Sequence, residues 1–112
     1  MKFVPTHRLP PEALELVAAR FRALGEPLRL RLLNRLMEGE CSVSALVEAT
    51  GAGQANVSKH LGILRDAGLV AFRKDGAASV YRITDPMLRA LCDLVCRQLA
   101  DELAAKAAHF RR

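Results

Sequence analysis

Residues 42–70, SVSALVEATGAGQANVSKHLGILRDAGLV, constrain the fold more than any other stretch, because a glycine-containing turn separates two short amphipathic patterns there. In the first pattern Val43, Leu46 and Val47 share one helical face, and Thr50-Gly51 supplies the stop. In the second, Val57, Leu61 and Leu64 recur at helical spacing and leave Gln54, Asn56, Ser58, Lys59 and His60 off the stripe. Side chains of that small, polar and basic kind reach base edges and phosphates when a helix lies in a major groove. Helix, glycine turn, helix is also a common hairpin in globular cores, so this stretch alone leaves both readings open.

The residues after the second pattern favour a helix that reads DNA. Ala67-Gly68 ends the second helix, with Gly68 placed for a left-handed C-terminal position. Residues 70–74 and 79–83 read as short strands around Asp75-Gly76, a hairpin signal. A helix-turn-helix over 42–67 followed by a hairpin over 69–83 bearing Arg73, Lys74 and Arg82 predicts a winged helix-turn-helix, mainly α with a small β-hairpin. Cations on the wing would neutralise phosphates and release counterions.

The flanks supply the remaining helices. Residues 1–10 read as a flexible segment, and 11–108 as one domain. Pro10-Pro11 can start a helix, since proline at its first position gives up an N–H that would be unpaired anyway. Leu14, Val17, Ala18, Phe21 and Leu24 form its stripe, ended by Gly25. Pro27 opens a second helix with Leu28, Leu32, Leu33 and Leu36 inward and Arg29, Arg31 and Arg35 outward, closed by Gly39. Asp85-Pro86 starts a last helix over 85–108, in which Leu88, Leu91, Cys92, Val95, Cys96, Leu99 and Leu103 make a broad apolar stripe. That stripe exceeds what so small a core needs, so the first and last helices are the expected dimer surface.

Composition fits this plan. The 112 residues allow one modest core, and with 51% apolar but only 4% aromatic residues it must be built mostly from Leu, Val and Ala. The formal charge is +5, and residues 53–82 hold Lys59, Arg65, Arg73, Lys74 and Arg82 against Asp66 and Asp75. The excess cations fall on the proposed DNA face. No apolar run approaches the roughly 20 residues that span a bilayer, and the N-terminus lacks a secretory pattern, so no membrane association and a cytoplasmic location are expected. The odd number of cysteines, three, reads as free thiols, ligands or core residues.

The order of elements, with FRALGEPLRLRLLNRL, QANVSKHLGILRDAGLV and YRITD, resembles the ArsR/SmtB family of winged-helix repressors over roughly residues 14–103. The resemblance implies a homodimer that binds double-stranded DNA at an inverted-repeat operator near its own promoter and lets go when an inducer binds. By the same resemblance Gln54, Asn56, Ser58, Lys59 and His60 fall on the recognition helix, Gln54 and Ser58 as the foremost base contacts. Lys59, Arg73 and Lys74 would grip phosphate, and His60 could equally hydrogen-bond the scaffold.

Known sensing sites of the family match poorly. Where a metal-thiolate type has Cys-Val-Cys two residues after a Glu, this chain has Glu40-Cys41-Ser42-Val43-Ser44, with serines at the thiolate positions. Where a zinc type needs an Asp-x-His pair and a later His-x-x-Glu, the chain offers Asp85, Met87, Gln98 and Asp101, without either histidine. His7 and His109 read as ordinary terminal histidines. Cys92 and Cys96 remain, four apart on one helical face, with β-carbons about 6 Å from each other. That suits chelation of a soft ion better than an unstrained disulfide, which wants about 4 Å.

The fold requires no cofactor. Candidate inducers are arsenite or antimonite, which prefer three thiolates, the third from Cys41 or the partner subunit, or another soft thiol-reactive signal. The alternative keeps the repressor but makes the cysteines structural, with oxidants, reactive sulfur or a protein partner as the signal. An enzyme is not expected: no nucleophile and base pair or glycine-rich phosphate loop is apparent.

Overall fold

A computed structural model describes residues 8–110. Residues 1–7, most of the segment expected to be flexible and including His7, lie outside the described residues. The chain runs α1 (Pro11–Leu24), α2 (Pro27–Leu36), β1 (Cys41–Ser42), α3 (Val43–Thr50), α4 (Gln54–Asp66), β2 (Val70–Asp75), β3 (Ala78–Ile83) and α5 (Pro86–Phe110). This is a winged helix-turn-helix, with α3 and α4 as the helix-turn-helix and β2–β3 as the wing.

Local chemistry sets the boundaries. Pro11 and Pro27 each occupy the start of a helix, and the Glu26 carboxylate caps α2 by accepting the Arg29 N–H at 2.9 Å. The Ser42 hydroxyl accepts the Ala45 N–H at 3.2 Å and starts α3, which ends at Gly51, whose φ of 73° lies in the left-handed region that glycine enters without strain. Gly68, at φ 77°, turns the chain out of α4 while the Leu69 N–H returns to the Leu64 carbonyl at 3.0 Å. Asp85 starts α5, its Oδ1 accepting the Met87 N–H at 2.9 Å.

The core gathers Leu28, Leu32, Leu33 and Leu36 of α2, Leu46 of α3 and Val57, Leu61 and Leu64 of α4. Burying each such side chain contributes about 1.5–3 kcal/mol. The antiparallel sheet has the order β1-β3-β2, with Cys41 opposite Tyr81 on one side of β3 and Phe72 opposite it on the other. β1 was not expected, since two residues carry no periodicity. It pins the start of the helix-turn-helix to the wing.

The outer helices differ from the rest. Phe21 of α1 is 60% exposed, and among the described side chains of α5 only Leu88 is buried, while Leu91, Leu94, Val95, Leu99 and Leu103 are exposed. The two helices flank an apolar groove of about 380 Å³ lined by Val17, Phe21, Leu24, Leu91 and Leu94 among others. Arg29 corrects the expectation of an outward α2 cation: it is partly buried, its Nε donating to the Ala23 carbonyl at 2.6 Å and a terminal nitrogen to the Arg22 carbonyl at 3.2 Å. The Ala23 carbonyl, whose helical partner position is Pro27 and has no N–H, draws the guanidinium inward, and the Arg22 carbonyl accepts from it as well as from the Gly25 N–H. Among the described residues no helix is long and apolar enough to cross a membrane.

Candidate nucleic-acid interface and thiol pair

The rotation of α4 is fixed by Val57, Leu61 and Leu64, all fully buried. Gln54, Asn56, Ser58 and Lys59 are therefore exposed on its other side. The helix begins after Gly53 with no side chain capping it, so its first N–H groups remain open to an anion.

Gln54 and Ser58 share one cleft of about 490 Å³ with Ser42 and Ser44 at the start of α3 and with Lys74 and Ser79 of the wing. No carboxylate lines it. Lys74 and Ser79 are register partners, and the Lys74 ammonium donates to the Ser79 hydroxyl at 3.0 Å, which holds the cation at the mouth. Ser42, Ser44 and Ser79 were not read as site residues from the sequence. The signal for Ser79 was its place opposite Lys74 across the hairpin, whereas the two serines become neighbours of α4 only through β1.

Two expected DNA contacts are engaged elsewhere. Arg73 makes a two-pronged ion pair with Glu40, Nε donating to Oε2 at 3.3 Å and a terminal nitrogen to Oε1 at 3.2 Å. That hydrogen bond and the opposite charge hold the Glu40 carboxyl below its ordinary range and push Arg73 further up. Arg73 is thus a cation already matched to a carboxylate.

His60 is only 12% exposed at its side chain, with Nδ1 2.9 Å from an Arg29 terminal nitrogen and 3.8 Å from Glu26 Oε2. It faces the scaffold, the second of the two readings its residue type allowed. A signal was present: 57, 60, 61 and 64 form the i, i+3, i+4, i+7 pattern of a buried stripe.

The cysteines separate. Cys41 is 4% exposed and sits in the core opposite Tyr81, because pairing of β1 with β3 turns it inward. Among the described residues no three or more His, Cys, Asp or Glu side chains cluster to hold a metal, so one chain does not unite Cys41 with the other two thiols. Cys92 is half-buried against the core and Cys96 exposed, and both line a cavity of about 440 Å³ between α2 and α5. Burial first, then the neighbouring Cys96 and Asp93, push the Cys92 thiol up.

Residues 26–71 match the family described as bacterial regulatory protein, arsR family. An uncharacterised HTH-type transcriptional regulator of Mycobacterium tuberculosis is 38% identical over 95 residues, covering 84% of this chain and 83% of the relative. A Streptomyces lividans protein named "Probable mercury resistance operon repressor" is 41% identical over 85 residues, 76% of this chain and 68% of the relative. Among solved structures, the solution structure of a homodimeric winged helix-turn-helix DNA-binding domain from Mycobacterium bovis aligns with a TM-score of 0.75 at 33% identity, covering 93% of this chain and 94% of that one.

Proposed function

The chain belongs to the arsR family of bacterial regulatory proteins, and we propose that it is a cytoplasmic homodimeric repressor that leaves an inverted-repeat operator when a soft, thiol-binding signal arrives. As a member of that family it is a DNA-binding transcriptional regulator, not an enzyme.

The observation that carries the DNA reading is the cleft shared by Gln54, Ser58 and Lys74, free of carboxylates and next to the uncapped start of α4. Gln54 and Ser58 read base edges there, and Asn56 and Lys59 extend the contact along the helix. Lys74 holds phosphate, and Arg73 joins it once released from Glu40. His60 supports the helix from behind. The exposed apolar faces of α1 and α5 are covered by a second copy, as the homodimeric Mycobacterium bovis domain suggests. Two recognition helices then meet successive major grooves about 34 Å apart.

Cys92 and Cys96 are the sensing thiols in this reading, and Cys41 is core. A soft ion suits paired sulfurs, and the Streptomyces lividans relative is named for resistance to a soft metal, mercury. Arsenite and antimonite, which need three thiolates, require the third from the partner subunit. One observation favours a second reading: Cys92 packs against the core. In that case the cysteines are structural, and oxidants, reactive sulfur or a protein partner supply the signal.

Fluorescence anisotropy of the reduced protein on its own upstream DNA and on a random duplex tests both levels. Gln54→Ala is expected to cost about 1–3 kcal/mol on the operator alone, and Lys74→Ala to weaken both DNAs and lower the salt slope by about one. Equal affinity for both duplexes, indifferent to Gln54, would remove the sequence-specific reading. Arsenite release that persists in a Cys92→Ser, Cys96→Ser double variant would remove the thiol pair.

A further inference from the structure

We propose that Cys92, Cys96 and the thioether of Met37 form a three-sulfur site for a soft monovalent cation, copper(I), inside a single chain. The proposal rests on the thiol reading above, since both use Cys92 and Cys96 as ligands, and it adds a ligand and the identity of the ion.

Arg89, Cys92 and Cys96 stand at i, i+3 and i+7 and so share one face of α5. The Arg89 guanidinium donates to the carbonyl of Met37, the residue that caps the end of α2. This bond moors the thiol-bearing face of α5 on Met37. Met37 lines the same cavity of about 440 Å³ as both cysteines. Met37 is only partly exposed, so it borders the cavity without being sealed in the core.

The donor set selects the ion. A thioether is neutral, soft and a poor ligand for ions that demand thiolate, imidazole or oxygen, whereas mixed thiolate and thioether sets suit copper(I). Among the described residues no histidine lines the cavity. One chain offers no third thiolate to complete an arsenite site, so the third sulfur it can supply is that of Met37. Two thiolates around one monovalent cation leave a single negative charge; of the two charged residues that line the cavity, Arg31 offsets it and Asp93 adds to it, which favours a cation over a neutral ligand there. A bound ion would tie α5 to the end of α2. It would thereby set the angle at which the apolar face of α5 meets its partner.

The test titrates the reduced full-length protein with copper(I) against a colorimetric copper(I) chelator, with copper-edge X-ray absorption to count sulfur neighbours. Expected are three sulfurs in the wild type and two in Met37→Leu, which also loses affinity by at least about tenfold, the low end for losing even an outer partner of a metal site. Arsenite binding should not change in Met37→Leu. Selenomethionine-labelled wild-type protein checks the same bond without a mutation, the selenium edge showing a copper neighbour. Two sulfurs and equal affinity in both proteins would overturn the role of Met37. Failure to hold copper(I) while arsenite still binds would overturn the copper site and leave the thiol pair standing. Failure to bind either ion, with DNA binding intact, would overturn both.

Discussion

The guanidinium of Arg29 donates a 2.9 Å hydrogen bond to Nδ1 of His60, joining α2 to α4. A guanidinium has only donors, so Nδ1 is the acceptor of this bond. The same guanidinium holds the carbonyls of Ala23 and Arg22 at the end of α1. One side chain therefore fixes three helices relative to one another.

Arg29→Ala should cost about 2 kcal/mol of stability, because charged hydrogen bonds to partly buried acceptors are lost together. Lysine should not rescue it, since an ammonium lacks the planar fork that spans three acceptors. In urea unfolding, a double-mutant cycle with His60→Ala should give a coupling of about 1 kcal/mol. Strict additivity would mean that the two side chains do not act as a pair.

Glu26 titrates with a predictable sign. Its carboxylate accepts the Arg29 N–H, the leading reason that its pKa lies below the ordinary value of 4.5. A depressed folded pKa stabilises fully above the unfolded value and is lost as pH falls through the folded one. Glu26→Gln should accordingly lower the urea midpoint at neutral pH, and the gap to the wild type should close in acid below 4.5. A gap that stays constant into acid would show that the charge of Glu26 plays no part.

Glu40→Gln should tighten DNA binding. The substitution releases Arg73 toward phosphate and removes a negative charge beside the wing, so the salt slope should steepen by about one. Thermal stability should barely move, because half-exposed ion pairs contribute little. Weaker binding in the variant would mean that Glu40 positions Arg73 for DNA instead of holding it back.

Phe21→Glu should abolish dimerisation. Phe21 lines the apolar groove between α1 and α5, and a charge there would be buried by a partner copy at a cost of several kcal/mol. Sedimentation of the variant should give a monomer with intact helicity and weakened operator binding. A variant that remains dimeric would move the interface elsewhere.

Much of the fold was legible in the chain. The stripe Val57, Leu61 and Leu64 specified α4 and its buried face, because a helix repeats its neighbours every 3.6 residues and that period survives in sequence. Asp75-Gly76 between apolar runs specified the wing for the same local reason. The two prolines and Asp85 marked helix starts, since capping needs only adjacent residues.

What the tertiary structure alone decided lies in contacts between residues far apart in sequence. Nothing local distinguishes Arg29 from Arg31 and Arg35 as the arginine drawn inward, or tells Arg73 that Glu40, 33 residues earlier, will meet it. Cys41 became core, and Ser42 and Ser44 joined the cleft of Gln54, Ser58 and Lys74, only because β1 pairs with β3. Met37 shares a cavity with Cys92 and Cys96 only once α2 and α5 have packed, and Arg89 joins the two helices by reaching across 52 residues to the Met37 carbonyl. Periodicity and capping are short-range properties that a sequence carries openly. The partners of a charge or a sulfur are chosen by packing, which exists only once the helices have met.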